Sequence, residues 1–305
     1  MSTTKDYDHL LIDGKNALYR AIFAGYRDAA FRAKGHDYFA IMVKFLHKYL
    51  DSFKPKNMHI FWDSSPSWRH EIMPTYKGHR KGMYADYEID VRKELKRQTH
   101  ICVNILKNMG LRQYFRESQE ADDLIYAFCR STLGERVLII SSDADFKQIS
   151  YQYGTIDIHN PMNRYKKRIE DVPRHDPVLA KAFAGDKSDN IAGYYGVGKV
   201  KSQSLVVDLV RRKEFFKSDR AKVMNEGVAE IVGSTLFRRN RALIDMSLCP
   251  HLLDNMMYVE GKLTSKTIFE YSKVVESLRK NKVNGVVMEG NQYIKPFKRL
   301  VSKSG

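Results

Sequence analysis

The 305-residue chain gathers carboxylates at two places joined by one apolar helix and one apolar strand. The first is Glu120-Ala121-Asp122-Asp123. The second is Asp143-Ala144-Asp145, which follows the run Val137-Leu138-Ile139-Ile140-Ser141-Ser142. Like charges a few ångströms apart repel, and partial burial adds a desolvation cost. A hard divalent cation, Mg²⁺ or Mn²⁺, resolves the conflict because it takes carboxylate oxygens as ligands. One acidic cluster at a helix start is equally well explained as a complement to the helix dipole. Two clusters joined in this way favour a metal.

The joining elements bring the clusters together. Leu124, Ile125, Ala127 and Phe128 give the intervening helix a buried face. Val137 to Ile140 suits a strand covered on both sides. Such a strand delivers Asp143 at its C-terminal end, where open α/β sheets place their sites. Two more strands follow the same rule, Leu10-Leu11-Ile12-Asp13-Gly14 and Met58-His59-Ile60-Phe61-Trp62-Asp63. A strand-end aspartate can simply begin a turn. Three of them, Asp13, Asp63 and Asp143, lie on one edge if the sheet is parallel. Helices are expected over about Asn16–Phe23 and Tyr38–Phe53, the latter ended by Pro55.

The net charge is +16, an excess that points to a polyanionic partner, most simply nucleic acid. A basic chain that concentrates its acids in a few places fits phosphate binding around a metal. The 3 cysteines have no CxxC spacing, which argues against zinc and against a disulfide framework, and fits a reducing cytoplasm. The N-terminus reads as no signal peptide, and no apolar run approaches the ~20 residues of a membrane span. A soluble cytoplasmic protein is expected, in the host cytoplasm if the source is viral, without a membrane partner and as a monomer. Hydrophobic residues make up 43% of the chain, enough for a core of one large or two smaller domains.

Between Ser64 and His100 the composition turns basic, aromatic and glycine-punctuated, as in Trp68-Arg69-His70 and Pro74-Thr75-Tyr76-Lys77-Gly78-His79-Arg80-Lys81-Gly82. That mixture can stack bases and hold backbone phosphates. A long helix begins near Asp86, with Arg92, Lys93, Lys96 and Arg97 around it. A solvated surface helix is the ordinary explanation of such a charge run, and its place after the basic loop argues for more. Further on, Thr155–His159 and Tyr165–Ile169 read as a hairpin or edge strand. Gly185-Asp186-Lys187-Ser188-Asp189-Asn190 places two acids on one helical turn. Gly193-Tyr194-Tyr195-Gly196-Val197-Gly198-Lys199 suits a hairpin whose backbone N–H groups point at phosphate. Helices are expected again over Val228–Leu248 and Leu263–Leu278. The basic stretch 282–305 carries no readable pattern.

Taken in order, these landmarks resemble the flap endonuclease and 5′-to-3′ exonuclease family, most of all the stand-alone 5′ nucleases of bacteriophages and the matching domain of bacterial DNA polymerase I. The likeness runs from about Leu10 to Leu248 and rests on seven short motifs: Ile12-Asp13-Gly14, Phe61-Trp62-Asp63, Trp68-Arg69, Tyr76-Lys77-Gly78-His79-Arg80, Glu120 to Asp123, Ser141 to Asp145, and Gly185 to Asn190 with its glycine hairpin.

The resemblance implies an α/β fold with a central, mostly parallel sheet flanked by helices (a PIN-like nuclease core) over residues 1–174. It adds a helical arch at about 78–108. A mainly helical DNA-binding region over 175–305 would carry a helix–hairpin–helix at about 176–210. It implies metal ligands at Asp13, Asp63, Glu120, Asp122, Asp143, Asp145 and Asp189, with Asp123 and Asp186 added in the bacterial and phage branch. Lys77 and Arg80 match a basic pair at the scissile phosphate. Arg69, Tyr76, Lys81, Tyr84, Tyr87, Gly193, Gly196, Gly198, Lys199 and Lys201 are the implied DNA contacts. Two Mg²⁺ ions about 4 Å apart, replaceable by Mn²⁺, and a K⁺ at the hairpin are the implied cofactors. The implied partners are DNA and RNA/DNA with free 5′ ends, with replication proteins as candidates. The chain departs from the family after Gly198: Lys199-Val200-Lys201 stands where a proline and then a basic residue are usual, and Ser202 replaces a usual alanine or glycine. The competing expectations are a PIN-like single-strand ribonuclease, which needs no duplex-holding hairpin, and a DNA-binding protein that has lost its chemistry.

Overall fold

The computed structural model describes residues 6–27, 38–82, 90–163, 169–215, 234–283 and 292–301. Strand β1 (His9–Asp13) is buried along its whole length and is flanked by β2 (Asn57–Phe61) on one side and β4 (Val137–Ile140) on the other. β3 (Arg112–Tyr114) and β5 (Ile156–His159) complete a sheet of order β3-β2-β1-β4-β5, with every pairing parallel. The chain first builds outward from β1 to β3, then returns to the other side of β1. The direction of build therefore switches between β1 and β4, and ligands of open α/β sheets bind at the carboxyl end of such a switch. Asp13 closes β1, Asp63 follows β2 by two residues, and Asp143 follows β4 by three.

Alternation along the strands divides the core. Leu10, Ile12, Leu138 and Ile140 pack on one face with α1 (Gly14–Arg27), α2 (Tyr38–Phe53) and α4 (Val91–Asn108). Leu11, Phe61, Val137 and Ile139 pack on the other against α5 (Ala121–Ser131). Short helices α3 (Arg69–Ile72) and α6 (Lys147–Gln152) lie beside the sheet edge. The turn into α1 needs glycine, because a Cβ on Gly14 would sit 2.7 Å from the Trp62 ring.

The C-terminal part is helical, in α7 (Pro177–Ala184), α8 (Lys199–Phe215), α9 (Thr235–Ile244), α10 (Leu252–Leu263) and α11 (Tyr271–Lys280). Packing crosses the expected division at residue 174. Ala182, Phe183, Val206 and Phe237 make a small core between α7, α8 and α9. Val259 of α10 and Val274 and Leu278 of α11 return instead to the two faces of the sheet. The helix expected over Leu263–Leu278 is broken: Thr264 and Ser265 turn their hydroxyls back onto the carbonyls of Glu260 and Lys262, which competes with a further turn. Of the hairpin expected at 155–169, β5 is an edge strand parallel to β4, and residues 164–168 lie outside the described residues. Among the described residues no helix is long and apolar enough to cross a membrane.

Under α5 the sheet carries a buried histidine pair. His9 Nδ1 lies 2.9 Å from His59 Nε2, His59 Nδ1 lies 3.1 Å from the Tyr114 hydroxyl, and His9 Nε2 meets Glu135 at 2.6 Å. Burial, then the neighbouring His9 and Arg112, holds the His59 pKa well below its ordinary 6.5. Burial also lowers His9, against the pull of Glu135. The unfolded chain therefore takes up protons that the folded one refuses, and stability falls as pH drops below 6.5. The melting temperature should decline from about pH 7.5 to about 5.5, and His59→Gln should flatten that decline. An unchanged slope in the variant would show that other groups carry it.

Candidate metal centre

The sheet's carboxyl edge opens into a cleft of about 690 Å³, lined by Asp13, Asp63, Glu120, Asp122, Asp143, Asp145 and Asp189. Asp13 accepts from the Asn16 amide at 2.9 Å, and Asp63 from the Ala121 amide at 2.7 Å at the start of α5. Glu120 caps that helix. Asp143 accepts the Asp145 amide at 2.9 Å, which fixes the turn between them. Asp186 and Asp189 come from the segment between α7 and α8. Their carboxylates and that of Asp145 offer oxygens within 4.8 Å of one another, the one such trio among the described residues. A donor set made only of carboxylate oxygens suits a hard divalent cation.

The electrostatics fit that occupant. Burial, then Asp63 and Asp143, pushes the Asp13 pKa up to about 7. Burial, then Asp143 and Asp13, raises Asp122 well above its ordinary value. Burial likewise raises Asp145 and Asp189 despite nearby lysines. A cation among these groups relieves both the crowding and the desolvation. Glu120 behaves differently: burial opposes its charge, but Lys77 and Arg69 outweigh burial and hold its pKa at about 2. Asp186 is also lowered, because Lys181 outweighs its burial.

Four cations ring the acids. Lys15 lies 3.2 Å from Asp63, Lys77 lies 2.7 Å from Glu120 and Arg80 lies 2.7 Å from Asp189. Lys181 pairs with both Asp145 and Asp186. Lys77 adopts φ +55°, and its amide donates to the Asp189 carbonyl, so its backbone is tied to the second acidic segment. Burial works against the Lys77 charge, but Glu120, Asp189 and Asp122 outweigh it and raise the pKa.

Residues 8–173 match the family model of the 5′-3′ exonuclease, N-terminal resolvase-like domain. The chain belongs to the 5′-3′ exonuclease family. DNA polymerase I of Bacillus caldotenax is 30% identical over 217 residues, 65% of this chain and 23% of that protein. The 5′-3′ exonuclease of Mycoplasmopsis pulmonis is 24% identical over 230 residues, 71% of this chain and 72% of its own length. The chain spans 23% to 28% of the length of the first DNA polymerase I relatives. Among solved structures, the D15 protein of bacteriophage T5, co-crystallised with metal ions, superposes with a TM-score of 0.60 at 18% identity, over 90% of this chain and 99% of that one. The T5 D15 flap endonuclease in a pseudo-enzyme-product complex with DNA and metal ions gives 0.54 at 16%, over 98% and 100%. The fold is thus that of the 5′ nucleases.

Several residues expected to touch DNA or metal are buried inside this 5′-3′ exonuclease fold. Arg69 is 3% exposed. It grips both oxygens of Asp123 at 2.8–2.9 Å and reaches Glu120 at 3.1 Å and the Leu243 carbonyl at 2.9 Å. It is therefore withdrawn from DNA. Asp123, itself 0% exposed, also accepts from Trp68 Nε1 and the Glu120 amide, so four donors hold it inside the protein, and it is not among the acids that line the cleft. Tyr76 is 3% exposed, and its hydroxyl donates to Glu120 and Asp189, so its ring cannot stack on a base.

Gly193 is required by packing rather than by phosphate, since a Cβ there would meet the Ala184 carbonyl at 2.1 Å. Gly196 has φ +69°, while Gly198 faces open space, and Lys199 and Lys201 are exposed. Lys81 ends in a 3-10 turn (Gly78–Gly82), and Tyr84 and Tyr87 lie outside the described residues. Of the arch expected at 78–108, the second half of α4 is core, with Cys102, Ile105 and Leu106 buried.

Lys15 and Lys181 went unread in the sequence. Lys15 follows Asp13-Gly14 directly, and Lys181 precedes Asp186 by five residues on an otherwise apolar helix. A lone lysine near a motif acid was the available signal.

Proposed function

We propose that this chain is a divalent-metal-dependent 5′ nuclease that hydrolyses phosphodiester bonds in DNA, and in RNA paired with DNA, at free 5′ ends and flaps, in the removal of primers during replication. One observation carries the reading: Asp145 and Asp189, which form an acidic trio with Asp186, line one cleft with five further acids, and lysines and arginines line the same cleft. Asp145, Asp186 and Asp189 would hold one Mg²⁺, and Asp13, Asp63, Glu120, Asp122 and Asp143 are the candidates for a second. Bound there, such ions would supply an activated water and stabilisation of the departing 3′-oxygen. Lys77 and Arg80 neutralise charge that grows on the phosphate. Lys15 and Lys181 hold the acids in place before substrate arrives.

The segment from α7 through Gly193–Lys199 into α8 is the helix–hairpin–helix of this reading, holding duplex by its backbone N–H groups, with K⁺ as a candidate ion there. It is also the feature that a single-strand ribonuclease would not need. Cleavage of a 5′-flap substrate labelled at either end, with and without Mg²⁺, tests the activity. Absence of any Mg²⁺-dependent product would overturn it.

The hairpin glycines make separate tests. Gly196→Ala strains a left-handed backbone and should cost about 1 kcal/mol of stability. Gly198→Ala adds a Cβ into open space and should leave melting unchanged while weakening duplex binding, because only a bound phosphate would crowd it. Filter binding should fall steeply with salt for a chain of net charge +16. Equal duplex affinity in the Gly198 variant would remove that loop from the interface.

A further inference from the structure

Asp63 has both carboxylate oxygens engaged. Oδ1 accepts the Ala121 amide at 2.7 Å, and Oδ2 meets the Lys15 ammonium at 3.2 Å. The first contact ties Asp63 to the start of α5, and the second occupies the oxygen left for a cation. Asp145, Asp186 and Asp189 already lie within ligand reach of one another, with Lys181 beside them. Among the described residues Asp63 belongs to no such group. The two sides of the centre therefore differ. One is assembled for an ion, and the other has a lysine on an acid that an ion would use.

Lys15 does not serve its own helix. It stands in the first turn of α1, which holds no acid, and a cation there opposes the helix dipole. Its pair with Asp63 is also easy to open. The Lys15 side chain is 38% exposed and that of Asp63 21%, and ion pairs at such exposure contribute little to stability. Lys15 lines both the metal cleft and a neighbouring groove of about 1130 Å³. Its flexible stem can carry the ammonium from Asp63 into that groove with the backbone unmoved. Lys77 is held differently, since its amide is tied to the Asp189 carbonyl and its partner Glu120 is buried.

We propose that Lys15 is a tethered cation that competes with a second metal ion for Asp63. It is a positioning residue that neutralises Asp63 in the metal-free protein and releases it when an ion binds. The assignment deepens the nuclease reading and rests on it for the second ion. Its consequence is an order of loading: the trio fills first, and the Asp63 side fills at a higher ion concentration that Lys15 sets.

Metal binding without DNA tests this apart from cleavage. The probe is Mn²⁺, which takes carboxylate oxygens as Mg²⁺ does, with the free ion counted by electron paramagnetic resonance. A unit charge about 6 Å from a divalent ion in a water-like medium changes its affinity about tenfold. Lys15→Met removes the charge and keeps a long side chain. It should bind the weaker of two ions about tenfold more tightly and leave the tighter one within about twofold. A second ion seen in Lys15→Met and not in the parent is the same result in its extreme form. Lys15→Arg keeps the charge and should bind both ions as the parent does. Without metal, Lys15→Met should melt below the parent, and saturating Mn²⁺ should remove the difference. A lysine that only packs would lower melting with and without metal alike.

Unchanged or weaker binding of the second ion in Lys15→Met overturns the proposal. So does a gain on the tighter ion alone, an equal gain in Lys15→Arg, or a single bound ion in both parent and Lys15→Met. Lys15→Gln takes the place of Lys15→Met if the latter does not fold. A cleavage arm separates the two readings. If the parent cuts no flap in Mg²⁺, the nuclease reading fails while the Mn²⁺ titration still decides the role of Lys15. If the parent cuts, the Mg²⁺ concentration for half-maximal rate should fall about tenfold in Lys15→Met. A requirement equal to the parent's would also overturn the proposal.

Discussion

Asp145→Asn is expected to lower cleavage by about 10²–10³-fold, what losing a preorganised electrostatic contact costs, while leaving DNA binding within a few-fold of the parent. Asp145 is one of three carboxylates within 4.8 Å, so its charge is the part of the trio that a cation needs. It makes no contact that would hold duplex. The metal-free protein should respond in the opposite sense. Burial raises the Asp145 pKa against the pull of Lys181, which means that its charge costs the folded state more than it costs the unfolded chain. Asparagine removes that charge, and Lys181 keeps Asp186 as its partner. The variant should therefore melt at an equal or higher temperature than the parent without Mg²⁺.

Added Mg²⁺ should raise the melting temperature of the parent, because a ligand that binds only the folded state stabilises it. It should raise that of the variant much less. Calorimetry with and without Mg²⁺, beside a cleavage assay, measures all three effects. Near-parental turnover, or an equal Mg²⁺ shift in both proteins, would take Asp145 out of the metal centre.

The carboxyl edge of the sheet was legible in the sequence because β1, β2 and β4 are apolar runs that end in or near aspartate, and apolar runs bounded by acids report both burial and direction. β3 was not, since Arg112-Gln113-Tyr114 is three residues long and has no apolar run. Residue type also misled where burial decides the role. Arg69 and Asp123 both have the chemistry of site residues, and sequence spacing cannot show that they satisfy each other inside the protein. The same holds for Tyr76, whose hydroxyl orients two acids while its ring is covered. Lys181 reads as an ordinary helix lysine until the turn at Gly185 folds Asp186 back beside it. The C-terminal helices were legible as helices, but their return to both faces of the sheet depends on contacts more than a hundred residues apart, such as the Asn255 amide donating to Gln119 at 2.9 Å.

Lys77→Ala should lower turnover by about 10²–10³-fold and change substrate affinity by only a few-fold, the pattern of a contact made chiefly in the transition state. Three features of the site support the split. The ammonium is pinned 2.7 Å from Glu120 by a backbone that is itself tied to Asp189, so its position costs little reorganisation when substrate enters. The charge is secure, because Glu120, Asp189 and Asp122 outweigh burial and raise its pKa. It also lines the same cleft as Asp145 and Asp189, where phosphate must sit if the metals hold it.

Removing Lys77 has a second consequence. Glu120 loses one of the two cations that hold its pKa at about 2, although Arg69 remains. Its pKa should rise, and the acidic limb of the pH–rate profile should move upward in the variant. A purely structural lysine would change melting temperature without moving that limb. Single-turnover rates and binding measured across pH, for parent and variant, separate the two. A loss confined to KM, with kcat and the acidic limb unmoved, would mean that Lys77 only helps to collect the substrate.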